Sequence, residues 1–499
     1  MKSYSTYMDE ISDEELYKGL LAYGMFPEKL PPIFTAENFY NHSLTMDSSF
    51  QKGDHDYMSF DSVRNINIPR QLGIPNPMAY QRLCEGLKKN WNDLKVHFHT
   101  YTDSQTLHKI SRIHIRKMKN TEVLFEMNYK NILNDETPED DLIIGKKYIV
   151  RADISTCFPS IYTHSICWAL AGKSVAKSNR NSGWYNDIDK LCQNVKNGET
   201  HGLIIGPHAS NLLSEIILTV VDKQLSDKNW MFTRNIDDYT CYVKSEEECH
   251  QFLIDLNEAL KQFDLPMNHK KTKIERLPIA SSEYWIRELN AFCLVTSYGK
   301  VGYKEARAYF DLAVELMEVN GGNAATLNYA IKVLSKQKLT DNAKKFVVKE
   351  TMHLSLIYPY LIPLMEEYVF KPYNVSKDMI CHYSEYVYDA AWNERNYEGI
   401  CYAIYYSLKY DFDLSRINVD KIIKTDSGIL KLFGWLYFKK RNNGTILKLF
   451  RDEAKRLKTV EMDRNWLFIY ETLTFGNLSG EWKGIKRAGI SFLKSEYRY

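Results

Sequence analysis

The hydrophobic pattern of the chain changes near Val301. Before that position strand-like and helical segments mix, whereas after it apolar residues recur at the three- and four-residue spacing of amphipathic helices. Such helices cannot bury their apolar faces alone, so they must stack as helical repeats do. The predicted helices cover residues 303–319, 325–335, 342–351, 376–392, 396–409, 428–438, 445–457 and 466–473. The pattern predicts an α+β domain over residues 1–290 and an all-α, HEAT-like helical-repeat domain over residues 291–499.

The composition narrows the class of protein. Lys and Arg number 65 against 63 Asp and Glu, a near-neutral balance that excludes a globally basic coat protein but allows a local nucleic-acid channel. We expect no membrane association, because no apolar run reaches about 18 residues. We expect no secretory signal either, because the N-terminal segment is polar and acidic. The 9 cysteines form no C-x-x-C pair, which favours reduced thiols in a cytoplasmic protein.

Local signals predict several elements before residue 120. Ser12 and Glu15 fit a capping box that opens a helix. Asn76-Pro77 fits an N-cap followed by proline at the first helical position. Residues 112–116 alternate basic and apolar side chains, which is typical of a strand with one basic face.

Three aspartates lie where strands end or turn. Residues 148–153 form a β-branched strand pattern that ends in Asp153, and residues 230–243 read as a hairpin centred on Asp237 and Asp238. Two divalent ions held about 3.5–4 Å apart can clamp the attacking and leaving oxygens of a phosphoryl transfer. Mg²⁺ prefers hard oxygen ligands, so these carboxylates predict a site for Mg²⁺ or Mn²⁺.

Two further segments fit the same chemistry. Residues 201–210 form a Gly/Pro turn before a long apolar helix, and Gly206 in that turn permits close approach of a substrate to the backbone. Residues 265–273 follow the hairpin and bring lysines toward a phosphate. Both segments therefore point to a nucleotide or nucleic-acid substrate.

In order and spacing, residues 153–162, 202–210, 234–239 and 268–272 resemble motifs A, B, C and D of reverse transcriptases. Residues 162–166, 172–180 and 199–202 narrow the resemblance to the AbiK-like abortive-infection (Abi) reverse transcriptases of phage defence, with the P2-prophage type closest in length. The resemblance implies a palm and fingers over residues 1–290 and the helical-repeat domain after them.

The resemblance also implies roles for individual residues. Asp153, Asp237 and Asp238 match the catalytic metal ligands, and Lys271 matches a catalytic lysine that donates a proton to the leaving pyrophosphate. Phe158 matches an aromatic steric gate that excludes the ribose 2′-hydroxyl. The remaining nucleotide-binding candidates are the Ile154 carbonyl, Gly206 and Ser210 of motif B, and Arg112 and Arg116 of the fingers.

The sequence departs from ordinary reverse transcriptases in motif B, where Ile204-Ile205-Gly206 replaces Pro-Gln-Gly, and it offers no compact thumb after Thr272. These losses agree with what the Abi family implies. We therefore expect a Mg²⁺-dependent polymerase that joins dNTPs without a template and is primed by its own tyrosine. Its partners would be dNTPs, the single-stranded DNA product attached through that tyrosine, and further copies of the chain in a homo-oligomer. The loop-like sequence around them makes Tyr4, Tyr7, Tyr40, Tyr57 and Tyr373 the priming candidates.

Two alternatives remain open at the level of sequence. One is a templated, RNA-directed DNA polymerase. The other is a palm-like scaffold that acts through its helical repeats, although the intact aspartates argue against it. A third choice concerns Lys439, Lys440 and Arg441, which either complement a helix dipole or form a basic surface that guides the emerging strand.

Overall fold

The computed structural model describes residues 2–46, 50–105, 107–111, 115–118, 137–179, 182–294 and 299–499. Arg112 lies outside these residues, as does most of the strand predicted over residues 112–116. Among the described residues, no helix is both long and apolar enough to span a bilayer. All 9 cysteines are free thiols, and most are buried.

The N-terminal region surrounds a two-stranded antiparallel sheet with short helices. Its elements are α1 (Tyr4–Asp9), α2 (Asp13–Lys18), α3 (Glu37–Ser43), β1 (Tyr57–Val63), β2 (Pro69–Pro75), α4 (Pro77–Lys89) and α5 (Trp91–Thr102). The predicted capping box at Ser12 and Glu15 is confirmed at the start of α2. The Asn76 side chain caps α4, as predicted, by accepting hydrogen bonds from the first amides of that helix.

A four-stranded antiparallel sheet with the order β4-β5-β3-β6 follows. Its strands are β3 (Tyr148–Asp153), β4 (Phe232–Asn235), β5 (Asp238–Val243) and β6 (Lys273–Arg276). The strand ending in Asp153 and the hairpin around Asp237 are therefore confirmed as predicted. Because β3 and β5 are antiparallel, the last residue of β3, Asp153, lies in register with the first residue of β5, Asp238.

Helices cover the sheet and fill the core beside it. They are α6 (Glu139–Leu142), α7 (Cys157–Ser160), α8 (Thr163–Ala171), α9 (Lys173–Ser178), α10 (Trp184–Asn194), α11 (His208–Asp227) and α12 (Glu246–Lys261). The central one, α11, packs against α5, α8 and α12, which explains why most of its residues are buried. Its apolar sequence reflects this position, since a helix packed on several sides has no wide polar face.

The C-terminal region consists of helices that pack against their sequence neighbours, such as α14 on α15 and α18 on α19. Its elements are α13 (Tyr284–Ala291), α14 (Tyr303–Val319), α15 (Ala325–Ser335), α16 (Asp341–Ile357), α17 (Lys371–Tyr373), α18 (Lys377–Asn393), α19 (Tyr397–Tyr410), α20 (Val419–Lys424), α21 (Gly428–Lys440), α22 (Gly444–Val460), α23 (Trp466–Thr472) and α24 (Gly480–Arg487). Every helix predicted after Val301 is confirmed, with ends shifted by a few residues at most sites. The HEAT-like character of the stack stays a prediction.

The first and last parts of the chain share one continuous hydrophobic core. Phe34 bridges to Leu493, and the Ser62 hydroxyl and Val63 amide of β1 donate to the Glu398 carboxylate of α19 at 2.8 and 2.7 Å. The N-terminal region therefore packs directly on C-terminal helices. The division into domains at residue 290 stays a prediction.

Candidate active site

The candidate site lies where β3 ends and β5 begins. Asp153 is buried at the end of β3, and Asp238 faces it across the β3–β5 pair. Asp237 lies in the preceding turn, where its carbonyl accepts a hydrogen bond from the Ile154 amide at 3.2 Å. Two strand ends and one turn thus bring the three predicted carboxylates together.

The segment after α12 places the predicted lysine at the same point. An isolated bridge joins Met267 to Ile154, and the Asn268 amide donates to the Asp153 carbonyl at 2.7 Å. This pairing carries residues 266–272 past the end of β3. As a result, the Lys271 ammonium forms an ion pair with the Asp153 carboxylate, and the Asn268 side-chain amide donates to that carboxylate at 3.4 Å.

The electrostatics show that these groups interact. Burial raises the pKa of Asp237, and the Asp153 charge raises it further. Partial burial together with the charges of Asp237 and Asp153 raises the pKa of Asp238 to about 6. The hydrogen bond to Asp153 raises the pKa of Lys271, so its ammonium form is favoured. The site therefore concentrates negative charge that a cation would relieve.

The donor set fits a hard divalent cation. Carboxylate oxygens suit Mg²⁺ and Mn²⁺, and mutual repulsion among carboxylates is what a bound cation offsets. Within the described part of the chain, no group of three or more His, Cys, Asp and Glu side chains is already drawn together around a metal position. The Lys271 ammonium occupies the carboxylate of Asp153 in this arrangement. Asp153, Asp237 and Asp238 are the residues that would hold the ion.

The turn before Asp237 is strained. Ile236 has φ of 59°, in the left-handed region that β-branched residues avoid, at a cost of order 1–3 kcal/mol. The fully buried guanidinium of Arg234 donates to the Ile236 carbonyl at 2.8 Å. The Arg234 side chain therefore stabilises this unusual turn through a hydrogen bond.

The structure places the predicted steric gate beside the site. Phe158 lies in α7, which follows Asp153 through a left-handed residue, Thr156 with φ of 45°. Its ring is half-buried against the core, and its carbonyl accepts from the Leu203 amide at 2.8 Å. The Ile154 backbone is within the same segment, and its amide is committed to Asp237. The nucleotide roles of Phe158 and Ile154 stay predictions.

Motif B packs against the N-terminal region of the chain. A Cβ added at Gly206, whose φ is 126°, would lie 2.6 Å from the Pro27 side chain, so the close approach at this glycine is made by the N-terminal region. The buried Ser210 hydroxyl donates to the Ile204 carbonyl at 2.6 Å. Arg116 is buried as well. Nucleotide contacts by Gly206, Ser210 and Arg116 stay predictions, and Arg112 lies outside the described residues.

Sequence reasoning missed Arg70. This residue is in β2, and its charge lowers the pKa of Asp237, so it lies close enough to act on the site. Burial and the charge of Arg64 across the hairpin lower the pKa of Arg70 itself. Arg64 and Arg70, on either side of the turn in the strand–turn–strand pattern over residues 57–75, were the available signal.

The candidate priming tyrosines lie in helices and strands, several of them at the ends of these elements, and their priming role stays a prediction. Tyr4 and Tyr7 are buried in α1, and Tyr40 is buried in α3. Tyr57 opens β1 and Tyr373 ends α17, and both are half-buried. Tyr57 is the candidate beside motif B, because its ring and the Ile204 side chain both crowd Gly73.

Carboxylates on adjacent antiparallel strands, with a lysine at their edge, can hold the divalent ions that phosphoryl transfer uses. The family model for reverse transcriptase (RNA-dependent DNA polymerase) matches residues 88–303, a range that contains all four of these residues. Residues 88–303 are therefore similar to a reverse transcriptase domain. The same match confirms the mixed α and β, reverse-transcriptase-like fold class predicted from the sequence.

Solved telomerase structures are similar to parts of the chain at low identity. Apo telomerase from Candida tropicalis, truncated from its C-terminal domain, aligns over 48% of this chain and 52% of that chain, with 15% identity and a TM-score of 0.33. Apo telomerase from Candida tropicalis aligns over 88% of this chain and 70% of that chain, with 11% identity and a TM-score of 0.35. The chain thus spans about half the length of the first of these. No curated protein matches the chain.

Proposed function

We propose that this reverse transcriptase domain belongs to a phage-defence polymerase of the AbiK-like type, which joins dNTPs without a template and starts from a tyrosine hydroxyl of the chain. The observation that carries the proposal is the junction of Asp153, Asp237, Asp238 and Lys271 at the strand ends. Divalent ions bound by the three carboxylates would supply charge neutralisation for the transferred phosphoryl group.

Each side chain then has a defined part in the transfer. The tyrosine oxygen forms a bond to the α-phosphorus of a dNTP as the bond to the β-phosphate oxygen breaks, and the hydroxyl proton leaves to solvent or to a carboxylate. Lys271 is protonated, because its pKa is raised, and it is the group that donates a proton to the departing pyrophosphate. Arg70 of β2 lies close enough to lower the pKa of Asp237, and this cation would attract the triphosphate of a bound dNTP.

Template independence is supported by motif B. Ile205 stands where ordinary reverse transcriptases carry glutamine, so an amide contact to the nascent base pair is lost. The backbone there is also engaged by the chain's own N-terminal region, because the Gly73 amide donates to the Ile205 carbonyl at 2.9 Å. A loop held in this way has less freedom to follow a template–product duplex.

Templated RNA-directed synthesis is the second candidate, and the description of the matched family favours it. Purified protein is incubated with labelled dNTPs and Mg²⁺, either alone or with an RNA template and DNA primer. The proposal expects labelled DNA without added nucleic acid, retained on the protein after denaturation and released by protease. Label that appears only with template and primer would establish the second candidate instead. Asp237→Asn is the matched control, since it removes a carboxylate charge without changing side-chain size.

Peptide mapping of the labelled protein identifies the priming residue. We expect the nucleotide on a tyrosine, and we compare Tyr57→Phe with Tyr373→Phe because both side chains are half-buried and lie in different parts of the fold. Plaque counts on cells producing wild-type protein or Asp237→Asn then test the defence role. Homo-oligomer formation is tested by light scattering of the same preparation.

A further inference from the structure

A cluster of buried charged side chains contacts the turn that carries Asp237. Arg234 is fully buried, and it donates to the Asp222 carboxylate at 2.9 Å and to the Glu215 carboxylate at 2.7 Å. Both acids come from α11, seven residues apart on the same helix face. The guanidinium is thereby fixed against the helix before it reaches the turn.

Two further side chains fix this cluster from other elements. The Tyr4 hydroxyl of α1 donates to Glu215 at 3.0 Å, and the Ser111 hydroxyl donates to the same carboxylate at 3.1 Å. Arg234 also donates to the Ser111 oxygen at 2.8 Å. We define Tyr4, Ser111, Glu215, Asp222 and Arg234 as the Arg234 cluster. It ties α1, α11 and β4 to one guanidinium.

One further N–H of that guanidinium donates a hydrogen bond to the strained turn. It bonds the carbonyl of Ile236, whose φ is 59°, while the next carbonyl, that of Asp237, is held by the Ile154 amide of the β3 end. The turn is thus held by hydrogen bonds at two successive carbonyls. Without the Arg234 bond, the left-handed Ile236 would lose the contact that compensates for its conformation.

We propose that Arg234 is a positioning residue, which holds Ile236 in its left-handed conformation and so aims Asp237 at the metal position. The proposal rests on the proposed function, since it concerns the same metal site. Arg234 touches neither nucleotide nor metal in this scheme, and it acts only through the turn. Lysine cannot replace it, because one ammonium cannot reach both carboxylates and the turn carbonyl in a fixed planar geometry.

The affinity of the full chain for Mn²⁺ tests the site without catalysis. It is measured by the decrease of the electron paramagnetic resonance signal of free Mn²⁺ as the ion binds. Arg234→Lys is expected to weaken Mn²⁺ binding about 10- to 100-fold, as loss of a residue that orients a metal ligand does. The matched control is Lys431→Met with Glu453→Gln, which removes a buried ion pair in the C-terminal helices. That control is expected to bind Mn²⁺ like wild type.

Rescue separates positioning from general stabilisation. Glycine adopts a positive φ without steric cost, so Ile236→Gly added to Arg234→Lys is expected to recover most of the lost Mn²⁺ affinity. Wild-type affinity in Arg234→Lys, or no recovery on adding Ile236→Gly, would overturn the proposal. Failure of wild-type protein to bind Mn²⁺ would instead refute the metal site of the proposed function.

A second variant covers the case in which Arg234→Lys does not fold. Arg234→Met combined with Glu215→Gln and Asp222→Asn removes every formal charge of the Arg234 cluster, so no carboxylate is left buried and unpaired. Thermal unfolding checks that this variant is folded. We expect its Mn²⁺ affinity to fall by the same factor, and unchanged affinity in the folded variant would overturn the proposal.

Discussion

The four-stranded sheet with α11, here called the palm, and the C-terminal helices both bury charged side chains, but the balance of charge differs. In the palm, two carboxylates share Arg234, and burial raises the pKa of Asp222 to about 6 in spite of that cation. Between α21 and α22, one carboxylate, Glu453, is shared by Lys431 and Arg456. Burial alone would raise the pKa of Glu453, but these cations outweigh burial and lower it.

The difference shows which cluster stabilises its own surroundings. A carboxylate whose pKa falls on folding stabilises the folded state at neutral pH, whereas one whose pKa rises opposes folding there. The C-terminal pair therefore stabilises its helices. In the Arg234 cluster the effects oppose each other: burial raises the pKa of Asp222, whereas the two carboxylates outweigh burial and raise the pKa of Arg234. Neutralising one of the palm's active-site aspartates should thus affect chemistry more than stability, whereas breaking the Lys431–Glu453 pair should mainly affect stability.

The largest effect is expected from Asp237→Asn. Losing one charged ligand leaves the metal site incomplete, and even a single lost group that stabilises transition-state charge lowers kcat about 10²- to 10³-fold. Burial and Asp153 already raise the pKa of Asp237, so removing its charge should not lower the melting temperature. Label incorporation and thermal unfolding are measured together. Near wild-type incorporation would contradict the assignment of Asp237, and Asp227→Asn at the exposed end of α11 is the control.

The next effect concerns sugar selection by Phe158. Phe158→Ala opens the space where a ribose 2′-hydroxyl would lie, and one steric contact is worth about 1–3 kcal/mol, or roughly 10- to 200-fold in selectivity. The ratio of kcat/KM for a dNTP and the matching rNTP measures the change. Phe158→Tyr keeps the bulk of the ring and should keep the selectivity. If the alanine variant is folded and equally selective, the ring serves only the core.

The contrast between the two regions also explains what the sequence could predict. Helices after Val301 follow from period alone, because each buries one apolar face against a neighbour. The strand ending in Asp153 and the hairpin around Asp237 could likewise be predicted, because short apolar runs there are bounded by turn residues. Their meeting at one sheet edge follows from antiparallel pairing.

Long-range partners were not predictable in the same way. Arg234 and Glu215 both lie inside apolar segments, and nothing local indicates that they pair with each other or with Tyr4. Gly206 is a flexible residue by sequence, but the structure packs it against Pro27, about 180 residues earlier in the chain. The burial of Tyr4, Tyr7 and Tyr40 likewise depends on tertiary packing, which local composition does not indicate.

A smaller effect is expected at the junction between the two regions. Glu398 is buried, accepts hydrogen bonds from Ser62 and Val63 of β1, and has its pKa raised from 4.5 to about 7 by burial, with Lys29 the cation that lowers it slightly. The folded state thus holds a proton that the unfolded state releases, so stability falls as pH rises from about 4.5 to about 7.

Glu398→Gln removes this dependence. The amide carries no titrating proton, and its oxygen and nitrogen can meet the Val63 amide and the Ser62 oxygen. A pKa rise of about 2.5 corresponds to at most about 3 kcal/mol, so wild type should lose up to that much stability relative to the variant between pH 4.5 and pH 7. Urea unfolding at several pH values measures the slope. Parallel pH profiles would show that Glu398 is ionised in the folded protein throughout.

The smallest effect is expected from the cations that end α21. Lys440 pairs with Asp411 and donates to the Leu408 carbonyl at 2.7 Å, while the Arg441 guanidinium lies 3.5 Å from the Tyr437 ring and pairs with Asp413. Lys440 and Arg441 therefore already have partners among the C-terminal helices. This favours the interpretation as a helix end over a surface that guides the emerging strand.

Lys440→Gln tests that interpretation in the C-terminal helices, where we expect ion pairs to stabilise the fold. The Asp411 partner is mostly exposed, so the ion pair contributes little to stability, and the variant should unfold at slightly lower urea concentration. Product length and its dependence on salt should match wild type, because the ammonium already has partners in the fold. Replacing Lys439 and Arg441 by Gln as well extends the test to the whole cluster. Shorter products from that folded variant would assign the cations to the DNA path and would remove the contrast drawn between the palm and the C-terminal helices.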